Sequence, residues 1–466
     1  MEQEKTAQFI KMTETPIPKL VSSLALPTVV SMLVSAIYNM ADTFFVSHLG
    51  TDASAAVGIV FSVQSVIQAA GFGIGMGAGS LISRHLGMCD KRSADRFASS
   101  AFFCSVLFGL ILLLIGVFDI NNMMNLFGAD KSTLPYARDY GFYILLGAPI
   151  MCSSCVMNNI LRSEGRAKLA MIGLASGGVL NIILDPLFIF EFGLGLGTKG
   201  AALATVASQI ISFLILISLF IFGKSEVKLS ISAISRRISD YILIIKTGLP
   251  TVCRQGLAAL ATMFLNRQAR VYGSAVVAAV TIATKLYMFV RNAVIGIGQG
   301  FQPVAGYNYG AKRNDRVKGS FNFATALGTV VVLFATVVFL IFAPQIIAMF
   351  RNDVRVIETG ARGLRFLCMS LPLMAYSTYV NQLFQSLGKV KRATFLAACR
   401  NGICYIPLVF LLPALLKVDG ILLTQPLADI LTFIISVPLH IMFFKELGET
   451  GTENAGMEKH SADIQK

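Results

Sequence analysis

Two carboxylates and a carboxamide stand in stretches of this chain that are too apolar to be exposed loops. Asp42 lies in the run LALPTVVSMLVSAIYNMADTFFV, residues 24–46, and Asn181 and Asp185 lie in NIILDP. About 20 apolar residues suffice to cross a bilayer. An ionisable group at membrane depth costs at least ~2.5–3.5 kcal/mol, so it is expected to face a bundle interior or a wet cavity. Counting ~1.5 Å of helix rise per residue from Lys19 and from Lys168 brings Asp42 and the Asn181–Asp185 pair to a similar level, at mid-membrane or beyond. Asn181 and Asp185 are four apart and share one helix face. Two carboxylates in one poorly solvated pocket cannot both ionise cheaply, which makes such a pair a proton-binding device. With the amide and a water it could equally hold a small cation by oxygen ligands. The plainer alternative is that Asp42 caps its span at the far interface and Asp185 satisfies a helix break beside Pro186.

A second set of charges lies further along: Arg254, Lys285 and Arg291, with Asp429 in the last apolar run. Buried charges normally pair, and Asp429 is the only obvious acid for these three bases; substrate contact is the rival reading. Asn158 and Asn381 are either interhelical hydrogen bonds or polar points on a cavity wall. The four histidines, His48, His85, His440 and His460, are far apart and lack acid or metal-ligand partners, so membrane-enzyme chemistry has no visible site. The eight cysteines are scattered through apolar segments. Cys152 and Cys155 have redox or zinc spacing, but inside a spanning helix they read as packing.

These groups must be held by membrane helices. The 466 residues are 55% hydrophobic and only 14% charged, where a soluble chain would carry roughly 25% charged residues. Hydropathy marks twelve spans, at about 20–46, 54–83, 97–118, 139–161, 169–190, 200–222, 241–269, 275–306, 320–342, 364–386, 393–416 and 420–444. The formal net charge of +14 does not point to nucleic acid, because the basic residues sit in short loops between apolar runs. Loops on the N-terminal side hold Arg84, Lys91, Arg92 and Arg96, then Arg162, Arg166 and Lys168, and the pattern continues to Lys389, Lys391 and Arg392. By the positive-inside rule both termini are expected in the cytoplasm. The chain therefore divides into a polar leader (1–19), an N-lobe (20–222), a basic connector (223–240), a C-lobe (241–445) and a polar tail (446–466) expected to lack fixed structure.

The two lobes repeat each other. An offset of 223 residues lays Leu26-Pro27-Thr28 on Leu249-Pro250-Thr251, Gly73, Gly75 and Gly77 on Gly296, Gly298 and Gly300, and Asn158 on Asn381; the offset drifts to 220 where Gly200 meets Gly420. Six spans per lobe give both lobes the same orientation, related by an axis along the membrane normal with a central cavity between them. Shared positions most simply build the scaffold: the glycine ladder as close helix contacts, and Pro27 and Pro250 as helix kinks. Function is expected where the halves differ. Asp42 corresponds to Leu265, Asn181 to Cys404, Asp185 to Leu408 and Tyr140 to Gly363, while Asp429 corresponds to Gln209.

Taken together, the LPT opening of each half, the early aspartate in NMADTFFVSHLG, the GxGxG second span, GQGFQPVAGYNYGAKR and NIILDP resemble the multidrug and toxic compound extrusion (MATE) family over about residues 15–445. The acid-bearing N-lobe looks most like the bacterial branch that includes MepA and DinF. The resemblance implies an all-α polytopic protein of the bacterial inner membrane and no enzyme. It implies secondary active efflux of amphipathic, often cationic drugs or dyes by antiport with H+ or Na+, working as a monomer without a cofactor. On that resemblance Asp42, Asn181 and Asp185 match the coupling residues, with Tyr140 and Thr205 as helpers. Some relatives use an acid in the seventh span, where this chain has Gln255 beside Arg254. The alternative is a flippase for a lipid-linked anionic cargo, drawing on Arg254, Lys285 and Arg291.

Overall fold

The computed structural model describes residues 7–464, and all regular structure among them is helical. The first six residues of the expected leader and the last two of the tail lie outside the described residues, as do the side chains beyond Gly448. In chain order the helices are α1 (Ala7–Glu14), α2 (Ile17–Ser47), α3 (Thr51–Gly87), α4 (Lys91–Leu126), α5 (Leu134–Ser163), α6 (Ala167–Ile189) and α7 (Gly197–Ile221). There follow α8 (Ile238–Arg270), α9 (Ser274–Gly310), α10 (Asn314–Phe350), α11 (Val354–Cys368), α12 (Leu371–Ser386), α13 (Val390–Ala398) and α14 (Tyr405–Ile464). The backbone of the tail continues α14 to Ile464, where the polar composition had suggested no fixed structure.

Nine helical stretches among the described residues are long and apolar enough to cross a membrane. They reconcile with twelve expected spans in three places. The stretch Val390–Gly448 is far too long for one crossing, and its helical dihedrals fail at Lys417 (φ 55°), between the eleventh and twelfth expected spans. The tenth expected span is divided between α11 and α12 at Met369 and Ser370. The seventh, α8, is diluted by the charged residues that give the C-terminal half its polar character. The chain is an all-α polytopic membrane protein.

The internal repeat is written into the backbone. Left-handed turns recur at the 223-residue offset: Gly50 (φ 111°) with Gly273 (φ 99°), Cys89 (φ 59°) with Lys312 (φ 57°), and Gly165 (φ 80°) with Gly388 (φ 73°). At the offset of 220, Gly197 (φ 57°) matches Lys417 (φ 55°). Helical dihedrals are also interrupted inside α4 at Asp119 and inside α10 at Phe342, again 223 residues apart. Pro27 and Pro250 lie within continuous helices. Asp353 is the N-cap of α11, and Asp130, its repeat partner, makes a similar pair of bonds in the turn before α5, whose N-cap is Thr133. Asp130 Oδ1 accepts from the Ser132 and Thr133 amides, and Asp353 Oδ1 from those of Arg355 and Val356.

The glycine ladder of α3 acts on two faces. A Cβ at Gly75 would stand 2.8 Å from the Asn159 amide nitrogen on α5, and one at Gly77 2.2 Å from the Ile244 carbonyl oxygen on α8. The repeat partners do the same work: a Cβ at Gly298 would strike the Gln382 side chain on α12, and one at Gly300 would come within 2.4 Å of the Ala25 Cα on α2. Only hydrogen can occupy these positions, so the backbones approach closely.

Two compact units emerge from this packing: residues 26–86 with 90–252, and residues 1–25, 87–89 and 253–466. Both boundaries through long helices fall next to the repeated proline, before Pro27 in α2 and after Pro250 in α8. The described part of the leader is a docked element of the second unit. Phe9, Met12 and Thr13 are buried on α1. Asn308 donates to the Met12 carbonyl (3.1 Å), Arg313 to that of Thr13 (2.7 Å) and Arg316 to that of Thr15 (2.6 Å), so an amide and two cations serve the carbonyls at the helix C-terminus.

The connector is strapped to the first unit. The Lys228 amide donates to Asp95 (2.8 Å), and the Ser230 and Ser235 amides donate to Ser99 (3.1 Å) and Ser100 (2.9 Å). Glu164, fully buried in the turn after α5, accepts from the Ser225 hydroxyl (2.6 Å) and from the amides of Glu226 (2.8 Å) and Val227 (3.2 Å). Burial pushes the Glu164 carboxyl up to about 7, against the pull of those donors and of Arg166.

Candidate functional site

In the first unit the two acid-bearing stretches meet. Asn181 and Asp185 leave α6 on one face, as their spacing requires, and both are buried, as are Tyr140 on α5 and Thr205 on α7. Close packing brings these helices together. A Cβ on Gly178 would lie 3.0 Å from Val34 and 3.1 Å from Tyr38, which seats α6 against α2; one on Gly147 would lie 3.1 Å from Val206, which seats α5 against α7. The Asn181 amide donates to Asp185 Oδ1 (3.0 Å) and to Thr205 Oγ1 (3.4 Å). Tyr140 is within side-chain hydrogen-bonding range of Thr205 and in electrostatic range of both Asp42 and Asp185, which also act on each other. All five residues singled out from the sequence of the N-terminal half therefore converge.

Their oxygens are not satisfied. Asp42 Oδ1, Asn181 Oδ1 and Asp185 Oδ2 are buried and have no hydrogen-bond donor, and neither carboxylate enters an ion pair among the described residues. Three converging acceptors without a donor call for a proton, which turns an acceptor into a donor, or for a hard cation, which takes oxygen ligands. A helix-break role for Asp185 beside Pro186 leaves the convergence of Asp42 and Tyr140 unexplained.

The second unit carries a different constellation. Asp429, fully buried on α14, pairs with Arg400 (Nε to Oδ1, 2.8 Å). It does not pair with Arg254, Lys285 or Arg291, the three bases the sequence suggests. Tyr287 donates to Asp429 Oδ2 (2.6 Å), and Arg400 reaches the Tyr287 hydroxyl (2.6 Å) and Thr378 (3.0 Å) through its other two nitrogens. Arg400 stands on a π-helical turn, Cys399–Ile403, between α13 and α14, and such turns often mark functional positions. One signal could have found it: a basic residue in the middle of the eleventh apolar run. Arg254 and Arg291 are in electrostatic range of each other and of Arg400. Lys285 is exposed and Gln255 half-buried, and neither lines the cavity beside Arg291.

The two asparagines belong to the scaffold. Asn158 is buried and donates to the Ala170 carbonyl (2.7 Å), and Asn381, equally buried, to that of Ala393 (2.6 Å). Donors and acceptors both obey the 223-residue offset, so these are interhelical bonds of the repeat and not points on a cavity wall. Cys152 lies against the Ile67 carbonyl (3.5 Å) as a packed thiol, and all eight cysteines are free.

Known proteins with this pattern are readily found. A sequence model of the MatE family matches residues 27–187 and again 250–411, the two matches beginning one repeat apart. The multidrug export protein MepA of Staphylococcus saprophyticus is 26% identical over 428 residues, which cover 91% of this chain and 94% of that protein. A crystal structure of a MATE protein in complex with MaL6 superposes with a TM-score of 0.90 at 26% identity, covering 95% of this chain and all of the other. The outward-facing structure of a multidrug resistance MATE family transporter does so with a TM-score of 0.90 at 27% identity, over 96% of this chain and all of the other. With both halves matched and the whole architecture shared, this chain belongs to the MATE family.

Proposed function

We propose that this protein is a multidrug efflux transporter that exports amphipathic, often cationic compounds in exchange for H+ or Na+. Its relatives' export of drugs supports the cargo, and the unsatisfied acid cluster of the N-terminal half supports the coupling. The single observation that carries the coupling is the convergence of Asp42 and Asp185 with Asn181, Tyr140 and Thr205, three of whose buried oxygens lack a donor. Two carboxylates in apolar surroundings with no cation beside them hold an incoming proton or metal cation in preference to standing charged. Loading this site changes the charge between α2, α5, α6 and α7 and so favours one arrangement of those helices over another. A ligand shifts an equilibrium only by its differential affinity for the two states. Loading from outside releases drug and unloading inside restores the drug-accepting state, with the two lobes alternating access.

The membrane is the bacterial inner membrane with both termini cytoplasmic, the working unit is the monomer, and no cofactor is needed beyond the coupling ion.

The test is cationic-dye transport in proteoliposomes under a proton gradient or a sodium gradient, imposed separately, for the native chain and for Asp42→Asn and Asp185→Asn. Dye movement driven by one gradient and abolished in both variants is the expected result, and the effective gradient names the ion. Native rates in both variants would dismiss this coupling site.

A further inference from the structure

Within the C-terminal unit a small cavity is lined by Leu265, Tyr287, Arg291, Asn401, Tyr405 and Gln425, among others. Two of these walls are the repeat partners of the acid site: Leu265 stands where Asp42 does at the offset of 223, and Gln425 where Thr205 does at 220. The C-terminal half therefore holds a cavity at the position equivalent to the acid cluster, lined by different chemistry. Arg400 replaces Gly177, which in the N-terminal half lets α6 close on Ser212 of α7. Arg291 replaces Gln68 and Arg254 replaces Ser31.

The charges at this cavity do not balance. Asp429 is fully engaged, one oxygen by Arg400 and the other by Tyr287. Arg400 in turn has all three nitrogens bonded. That leaves Arg254 and Arg291, neither of which has an ion-pair partner among the described residues; Arg291 Nε is buried without any acceptor. The two guanidiniums repel each other and Arg400. Cations held together in poorly solvated surroundings are stable only with a counter-charge. Arginine's planar fork matches the two oxygens of a carboxylate, as it does those of a phosphate, and the small cavity suits the smaller group. Asn401 adds an amide at the same wall and ties the π-helical turn to the Arg254 carbonyl (3.3 Å), while Tyr287, Tyr405 and Leu265 supply apolar flanks.

We propose that this C-terminal cavity is an anion subsite that binds one carboxylate-sized group, with Arg291 as its direct ligand and Arg254 as the charge that reinforces it. The group is either the carboxylate of an amphipathic compound or a free small anion such as chloride. An amphipathic carboxylate fits the apolar walls; chloride would need only the cations. Binding at this subsite does not depend on the efflux reading.

The experiment uses the purified full-length protein in detergent and two fluorophores of identical amphipathic skeleton, one ending in a carboxylate and the other in its methyl ester. Fluorescence polarisation in low-salt zwitterionic buffer is expected to show the acid binding at least ~10-fold more tightly, about 1.4 kcal/mol. Arg291→Gln should reduce that preference to within about twofold, and Arg291→Lys, which keeps the charge but not the fork, should retain part of it. The acid and not the ester should raise the melting temperature of the native protein, a readout that needs no variant. Displacement of the acid by chloride, beyond that by sulfate at matched ionic strength, would assign the subsite to a free inorganic anion; resistance to chloride would assign it to the carboxylate of an organic compound. Equal affinity for acid and ester, unchanged in Arg291→Gln, with no effect of chloride, would overturn the proposal. Asp42→Asn is expected to keep the preference for the acid, so failure of the efflux reading and failure of this one are told apart.

Discussion

The two halves of this transporter share a skeleton and differ in almost every buried charge. Left-handed turns, helix interruptions, the Asp130 and Asp353 turn bonds and the Asn158 and Asn381 cross-bonds recur at offsets of 223 or, late in each half, 220. At equivalent places in the repeat, the first half carries Asp42, Asn181 and Asp185, with unsatisfied acceptors, and the second carries Arg254, Arg291 and Arg400, with one acid among three bases. A repeated skeleton offers equivalent positions in both halves, and divergence of the side chains there gives the two halves opposite polarity. What is common to both halves is scaffold, and what is not common is where binding should be sought.

The largest effect that would break this contrast is expected at the acid site. Asp42→Asn or Asp185→Asn should lower gradient-driven dye efflux at least ~10-fold, a change of about 1.4 kcal/mol or more, with membrane insertion unchanged by fractionation. Retained efflux would remove the functional asymmetry of the halves. Next, Asp429→Asn should cost ~3–5 kcal/mol, because it leaves Arg400 buried beside two further arginines; thermal melting in detergent reads the loss. A small loss would mean that the basic cluster is well solvated and the opposite polarity superficial.

A sharper test of the common skeleton is the pair Asn158→Ala and Asn381→Ala. Each removes an equivalent bond and strands a buried carbonyl, so each should destabilise by ~1–3 kcal/mol, and by similar amounts. Markedly unequal losses would show that the repeat is geometrical without being energetic.

Glu164 belongs to the first half alone; its counterpart is Leu387. Burial holds its carboxyl at about 7 in the folded protein, above its ordinary value of 4.5. The folded state therefore keeps a proton that the unfolded chain releases above about pH 4.5. That stabilisation is complete below pH 4.5 and is lost as the pH rises towards and past 7. The melting temperature should fall across that window in the native protein, and that part of the fall should be missing in Glu164→Gln. The smallest effect is expected at Lys417, which holds the backbone conformation that glycine supplies at Gly197 in the first half. Lys417→Gly should stabilise by ~1 kcal/mol, read as a small rise in melting temperature.

Much of this was legible without coordinates. Apolar runs of spanning length, the offset of 223 and the positions where it breaks all lie in the one-dimensional pattern, because membrane thickness and helix rise leave few ways to arrange an apolar chain. Asp42 and Asp185 stood out because charge in an apolar run is costly, and Asn181 because it shares a helix face with Asp185. The same rule applied to Arg400, yet the partner of Asp429 cannot be chosen from sequence when several bases are available, since pairing is decided by which helices pack and how a π-helical turn rotates one side chain. Lys285 shows the converse: hydropathy places it in a span without telling that its side chain is exposed. Asn158 and Asn381 were undecided between wall and scaffold until their acceptors, twelve residues on and across a turn, could be seen.

The sequence by itself determined the membrane class, the twofold repeat, the family resemblance and the presence of acids inside apolar runs, because each depends on residue type and spacing along the chain. Only the tertiary structure decided that Asp429 neutralises Arg400 and leaves Arg254 and Arg291 without an ion-pair partner among the described residues, that the described part of the leader docks as a helix, and that the connector is latched to Glu164. Those outcomes depend on distances between segments far apart in the chain, and a buried charge or hydrogen bond is satisfied only by a group that packing brings within reach.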